Sequence, residues 1–269
     1  MASLEEANVL TNNRTNKRQT LPLLFLKKSL AILLLLVIWE LVPRLGLVEV
    51  AFFPPFSDVV QAWLQLLESG ELFSHIGSSL FRSLIGFSLA LILAIPLGLI
   101  VGWYKTAAEI LTPLLEIFRN TAALAILPVF ILLLGIGESS KISIVMYACV
   151  WPVLLNTVSA VKGVDPLLIK SARSMGLSSF RLFQKVVLPA SVPTIFTGIR
   201  LAGASSILVL IAAEMVGASS GLGYLINYAQ LNFEIPKMYA GIITISLVGV
   251  MINWLLTSLE RYFSSWKHS

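Results

Sequence analysis

The chain has 269 residues, of which 57% are hydrophobic and 12% charged, where soluble domains are about a quarter charged. That balance excludes a sizeable soluble enzyme domain and describes a chain whose preferred solvent is hydrocarbon. The net charge of +5 does not point to nucleic acid, because the basic residues flank apolar runs, as membrane topology requires.

A spanning helix needs about 20 mostly apolar residues. Six spans are predicted in chain order, near 29–48, 80–104, 110–137, 141–161, 186–216 and 238–260, making an all-α membrane protein. The first span carries Glu40 and Arg44 towards its end, and no charge falls between Arg82 and Lys105 in the second. The third is interrupted near its start by Glu116 and Arg119, and the fourth is uncharged between Lys141 and Lys162. Arg200 lies inside the fifth, which ends near Glu214, and the sixth is uncharged from Met238 to Leu259. The long polar lead before Leu21, with no small-residue cleavage site after the apolar run, argues against a cleaved signal peptide. Cys149 is the only cysteine, so no intrachain disulfide forms, and it reads as a small buried hydrophobe. His75 and His268 lack partners at ligand spacing, so no metal site is expected.

Orientation follows from Lys and Arg in the connections. With the N-terminus inside, inner segments hold Arg14, Lys17, Arg18, Lys27, Lys28, Lys105, Lys162, Lys170, Arg173, Arg181, Lys185, Arg261 and Lys267. Outer segments hold only Arg44, Arg82, Lys141 and Lys237. Residues 1–28 and 263–269 are therefore expected as cytoplasmic tails around a transmembrane domain at 29–262. Two outer connections read as amphipathic helices. One has Val60, Trp63, Leu64 and Leu67 on a face opposite Asp58, Gln61, Gln65 and Glu68. The other, after Gly217, Gly221 and Gly223, repeats Leu222, Leu225, Ile226, Ala229 and Phe233 at helical spacing, as an interfacial helix or as a lid on a path.

The inner connection at 162–185 is the most informative. Asp165 is an N-cap residue and Pro166 suits the first helical position. Lys170 and Arg173 lie towards the negative dipole end, and Gly176 supplies the left-handed residue that stops a helix. Leu168, Ala172 and Met175 share one face. The spacing predicts a short amphipathic helix outside the membrane, then a second helical stretch from Ser178 into Leu188-Pro189.

Ala172, Gly176 four residues on, and Val186-Val187-Leu188-Pro189 ten residues after the glycine resemble the cytoplasmic signature of ATP-binding-cassette (ABC) importer permeases. The family's Glu-Ala-Ala reads Lys170-Ser171-Ala172 here. The resemblance runs from about Leu30 to Tyr262 and is to the nitrate, sulfonate and taurine branch. It includes Leu41-Val42-Pro43-Arg44-Leu45-Gly46, Phe53-Pro54-Pro55-Phe56-Ser57 and Leu134-Gly135-Ile136-Gly137-Glu138. Trp151-Pro152-Val153-Leu154-Leu155-Asn156-Thr157, Ala213-Glu214-Met215 and Gly217-Ala218-Ser219-Ser220-Gly221-Leu222-Gly223 complete it. Asn120-Thr121-Ala122-Ala123 departs from the prolines that relatives often place there.

The resemblance implies a type I importer permease fold whose coupling helix docks on an ATPase. Asp165, Leu168, Lys170, Ala172, Arg173, Met175, Gly176, Leu188 and Pro189 are the coupling candidates. It further implies a homodimeric pore, two ATPase subunits and an extracytoplasmic binding protein delivering a small oxoanion such as nitrate, bicarbonate, a sulfonate or taurine. The chain lacks a Gly-x-x-x-x-Gly-Lys-Ser/Thr loop, so no cofactor is expected on it, ATP and Mg being held by the partner ATPase. Glu116, Arg119, Asn120, Arg200 and Glu214 are the candidates for the translocation path, since charges inside a bilayer need a partner or water. Two readings stand for the arginines: structural pairing, with Glu116 beside Arg119, or contact with a passing anion. An ion-coupled secondary transporter would also place charges at mid-depth, but needs no coupling loop.

Overall fold

The structure, a computed structural model, describes residues 30–264. The expected tail at 1–28 and all but the first two residues of the one expected at 263–269, with the cations they carry, lie outside these residues. Of the described residues, 30–62 and 63–264 form two compact units.

In the first unit residues 30–44 form α1, closed by a turn with Gly46 at φ 72°. The Trp39 indole N–H donates to the Pro54 carbonyl at 3.1 Å, and its ring stacks on Phe53 at 5.7 Å. Glu40 accepts from Arg44 at 2.7 Å and from the Ser57 amide at 2.9 Å. The charges in the first predicted span thus tie its end to the start of α2, and the helix stops at 44 rather than 48.

Helix α2 (Phe56–Glu68) buries Val59, Ala62 and Leu66, while Leu64 is exposed, so its buried stripe is rotated from the predicted one. The second unit continues with α3 (Glu71–Trp103), α4 (Lys105–Arg119), α5 (Ala123–Leu134), α6 (Glu138–Lys162), α7 (Pro166–Ser174) and α8 (Ser179–Leu182). A π-helical turn, Phe183–Val187, then leads into α9 (Leu188–Glu214), followed by α10 (Leu222–Leu231) and α11 (Ile235–Ser264).

Among the described residues four helices are long and apolar enough to cross a membrane: α3, α6, the run Ser179–Glu214 and α11. A fifth span arises only if α4 and α5, which meet at 92°, count as one. The predicted count of six spans is not confirmed. The third, at 110–137, is two helices and not one. Asn120 Nδ2 takes the Glu116 carbonyl and Thr121 Oγ1 takes the Ile117 carbonyl, which caps α4 with side chains. Ala122 is then extended (φ −61°, ψ 125°) before α5 starts. Helix α3 begins earlier than predicted, and Arg82, read as an outer-segment charge, lies buried within it.

The core is α3, α6 and α9. Gly86 faces Val145, Gly98 faces Thr157 and Gly102 faces Val161, a constant offset that makes α3 and α6 parallel neighbours. Gly198 meets Asn156 while Ala202 meets Cys149, and Gly203 meets Leu256 while Arg200 meets Glu260, so α9 runs antiparallel to α6 and to α11. Apolar surface gives no advantage over lipid tails in a bilayer, so close backbone approach through small residues is what holds such helices together. Ala90, Ala94, Val145, Cys149, Val153, Leu154, Ala202 and Leu210 fill the centre, which leaves Cys149 the buried hydrophobe expected of it.

Gly98→Val should overpack this seam, where a β-carbon would meet the Thr157 side chain, and destabilise the protein by about 1–3 kcal/mol. Gly249→Val, in a helix with open space beside the glycine, is the matched control. Thermal unfolding in detergent compares the two; equal midpoints would contradict the packing account.

Candidate coupling loop and translocation path

At one end of the bundle, α7 has the caps its sequence requires. Asp165 Oδ1 accepts from the Leu167 amide at 2.8 Å and Pro166 occupies the first turn. Gly176 is at φ 78°, with its amide donating to the Arg173 carbonyl and the Leu177 amide to the Ala172 carbonyl. This is the closing pattern of a Schellman motif. Of the predicted face, Ala172 is buried, whereas Leu168 and Met175 are exposed, as are Lys170 and Arg173. The helix therefore rests on the bundle through Ala172 and presents leucine, methionine and two cations outward. Leu188 and Pro189 sit half-buried where the π-turn meets α9. Proline cannot donate to the carbonyl four residues back, and the Leu188 amide bonds to the Phe183 carbonyl instead, which widens this turn.

Helix α4 buries none of its residues. Lys105, Glu109, Thr112, Glu116 and Arg119 recur at spacings of four and three, forming one exposed polar stripe. The break at Asn120–Ala122 is exposed and lies beside the middle of α6. Phe118 stacks on Trp151 with ring centroids 6.5 Å apart, and Tyr147 Oη donates to the Phe118 carbonyl at 2.6 Å. Among the described residues no ion pair links Glu116 with Arg119. Arg200 differs: its Nε lies 3.3 Å from Glu260 on α11, which also accepts from Thr197 at 3.0 Å. The structure brings Glu116, Arg119 and Asn120 together and leaves Arg200 in a separate pair.

Glu214 is not on an open path. Its side chain is fully buried, accepting from Arg82 Nη1 at 2.7 Å, from Ser79 Oγ at 2.8 Å and from the Gly223 amide at 2.9 Å. Arg82, 2% exposed, also grips Glu138 through Nε and Nη2 at 2.5 and 2.6 Å, and reaches Ser220. Lys141 Nζ donates to the Gly137 and Gly217 carbonyls. His75 Nδ1 accepts from the Gly221 amide at 3.1 Å. Gly221, at φ 116°, brings the chain so close that a β-carbon would collide with the Glu214 carboxylate. This clasp joins α3, α6, α9 and the start of α10. Sequence reading missed Arg82, Glu138, Ser79 and His75 as partners. The available signal was that His75, Ser79, Arg82 and Gly86 recur at helical spacing on one face. In α10, Leu222, Leu225, Ile226 and Ala229 are buried as expected, but Phe233 lies past the helix end at φ 56° and is exposed.

A mostly apolar bundle with a capped helix projecting from one end and an exposed charged break beside its centre defines a membrane-embedded transport subunit. Residues 94–265 match the family described as binding-protein-dependent transport system inner membrane component. The chain belongs to this family, the ABC importer permeases, whose members are membrane subunits without enzymatic activity. It is 35% identical to the putative aliphatic sulfonates transport permease protein SsuC of Bacillus subtilis strain 168, over 87% of this chain and 85% of that one. To the taurine transport system permease protein TauC of Escherichia coli K12 it is 31% identical, over 86% of each. A solved inward-facing MetNI methionine ABC transporter superposes with a TM-score of 0.64 at 16% identity, covering 71% of this chain and 95% of that one. That likeness establishes the type I importer permease fold.

Removing one member of a buried ion cluster strands the others, at about 3–5 kcal/mol, whereas a partly exposed pair contributes about 1 kcal/mol or less. Arg82→Ala should therefore lower the unfolding midpoint and membrane yield far more than Arg200→Ala. The same loss in both, or none with Arg82→Ala, would contradict the clasp.

Proposed function

We propose that two copies of this chain form the path of an ATP-driven importer for a small sulfur oxoanion, an alkanesulfonate or taurine. A binding protein outside the cytoplasmic membrane delivers the solute, and two ATPase subunits dock on the α7 loops. The printed names of the sulfonate and taurine relatives support the substrate class. The observation that carries the path is the exposed stripe on α4 ending at Arg119 beside a broken helix. Irregular backbone at membrane depth is tolerated where it lines a water-filled cavity. A guanidinium there attracts an oxoanion and binds it bidentately.

The exposed charges of this stripe, which lipid cannot solvate, support a homodimer, and apolar residues flank them. Ile110, Ile117, Leu132 and Leu133 all lie open on α4 and α5, and a second copy related by twofold symmetry would cover them while enclosing the charges between the copies. Energy enters at the other end. Exposed Leu168 and Met175 give α7 an apolar surface for an ATPase groove, and Lys170 and Arg173 add charge. ATP and Mg belong to those subunits. The cation distribution supports placing α7 and both termini in the cytoplasm.

The two halves of this reading separate in one experiment on the reconstituted transporter with its ATPase and binding protein. Gly176→Val strains the left-handed turn that aims α7, so binding-protein-stimulated ATPase activity and uptake should both fall. Arg119→Gln should lower uptake severalfold while assembly and basal ATP hydrolysis stay normal. Wild-type coupling in Gly176→Val would remove the docking role, and wild-type uptake in Arg119→Gln would remove that residue from the path.

A further inference from the structure

Trp151 stands about midway along α6 and carries an unmet hydrogen-bonding group. Its indole Nε1 is the one buried side-chain nitrogen or oxygen without a partner among the described residues. Indole N–H groups nearly always find an acceptor when buried, and the exception sits beside the break between α4 and α5. Phe118 lies nearly parallel to the Trp151 ring, 6° from coplanar, and Tyr147 packs edge-on at 5.5 Å. The cover is light. Phe118 belongs to α4, which buries none of its own residues, and its carbonyl is held by the Tyr147 hydroxyl. The next residue is Arg119, at the end of the exposed polar stripe.

We propose that Trp151 Nε1 is a solute-binding donor of the translocation path, buried in the arrangement seen here and freed when α4 moves away from α6. This inference rests on the importer reading above and names a contact within it. The indole nitrogen donates and cannot accept, so it selects solutes with an acceptor oxygen, such as a sulfonate. In the arrangement seen here the donor is unsatisfied, which disfavours the covered state. Movement of α4 away from α6 exposes the ring edge to water and to a passing oxygen, beside a guanidinium that serves the same anion. Nε1 and Arg119 would then grip one oxoanion from two helices, and return of α4 to α6 would displace it.

The test uses the whole transporter in lipid nanodiscs or proteoliposomes, with taurine as the probe. Trp151→Phe keeps an aromatic ring against Phe118 and removes the N–H. With saturating loaded binding protein, uptake should fall about tenfold, the equivalent of one hydrogen bond to a charged acceptor, while stimulated ATPase activity and yield are kept. A merely structural tryptophan would lower all three together or none. The second readout is fluorine NMR of protein carrying 5-fluorotryptophan, with the Trp151 signal assigned by its loss in Trp151→Phe. It should shift between the nucleotide-free and vanadate-trapped states, and again on adding taurine.

An uptake-to-ATPase ratio like wild type in Trp151→Phe would overturn the inference, as would a Trp151 signal insensitive to nucleotide state. The latter outcome would mean that the indole keeps the same surroundings through the cycle. If the wild-type complex accumulates no taurine, the substrate reading falls, and the nucleotide-driven shift alone then decides whether Trp151 is uncovered.

Discussion

A guanidinium taken out of water inside an apolar bundle must be neutralised by groups that the fold itself supplies. At Arg82 they come from three other places in the chain: Glu138 at the start of α6, Glu214 at the end of α9, and Ser220 in the loop before α10. Because each guanidinium nitrogen is engaged, these elements cannot separate without stranding a charge. The clasp therefore fixes one end of the α3–α6–α9 core, and the glycine seams between these helices hold the rest of their length.

Helices α4 and α5 stand outside that arrangement. Neither contributes to the clasp, α4 buries nothing, and side chains at Asn120 and Thr121 set a break between them. The division is what a transport subunit requires: a body firm enough to carry force from the capped helix at one end, and a lightly held element beside the centre. The exposed charges fall on the second of these. In a bilayer that distribution is tolerable only where water or a partner chain meets them, which ties the chemistry of the path to assembly.

Composition and apolar runs made the membrane class legible, and α7 could be read almost residue by residue, because capping is local chemistry. Asp165, Pro166 and Gly176 act on neighbours within a turn. The same locality explains the failures. Glu214 was readable as an unusual charge but not as a buried one, since its partners Ser79 and Arg82 lie far away in sequence and only packing brings them near. Charge patterning assigned Arg82 to a loop because the method assumes that a cation ends a span. The break at Asn120–Ala122 was hidden because no proline marks it; Asn120 and Thr121 make it by taking carbonyls of α4. Phe233 followed the helical spacing of α10 but lies one turn too late, in the left-handed residue that ends it. Trp151 stood in the sequence only within a motif of the resemblance: an orphaned donor is a property of what surrounds it.

The central claim is that this chain conducts a solute only when ATP is consumed on docked partners. It is tested most directly by uptake of radiolabelled taurine, the sulfonate proposed above, into proteoliposomes holding the permease, its ATPase and the loaded binding protein. The account predicts accumulation that requires both ATP and the binding protein, with none from the permease alone under any ion gradient. Gradient-driven accumulation by the permease alone, unaffected by removing ATP, would contradict it and mark the chain as a secondary carrier.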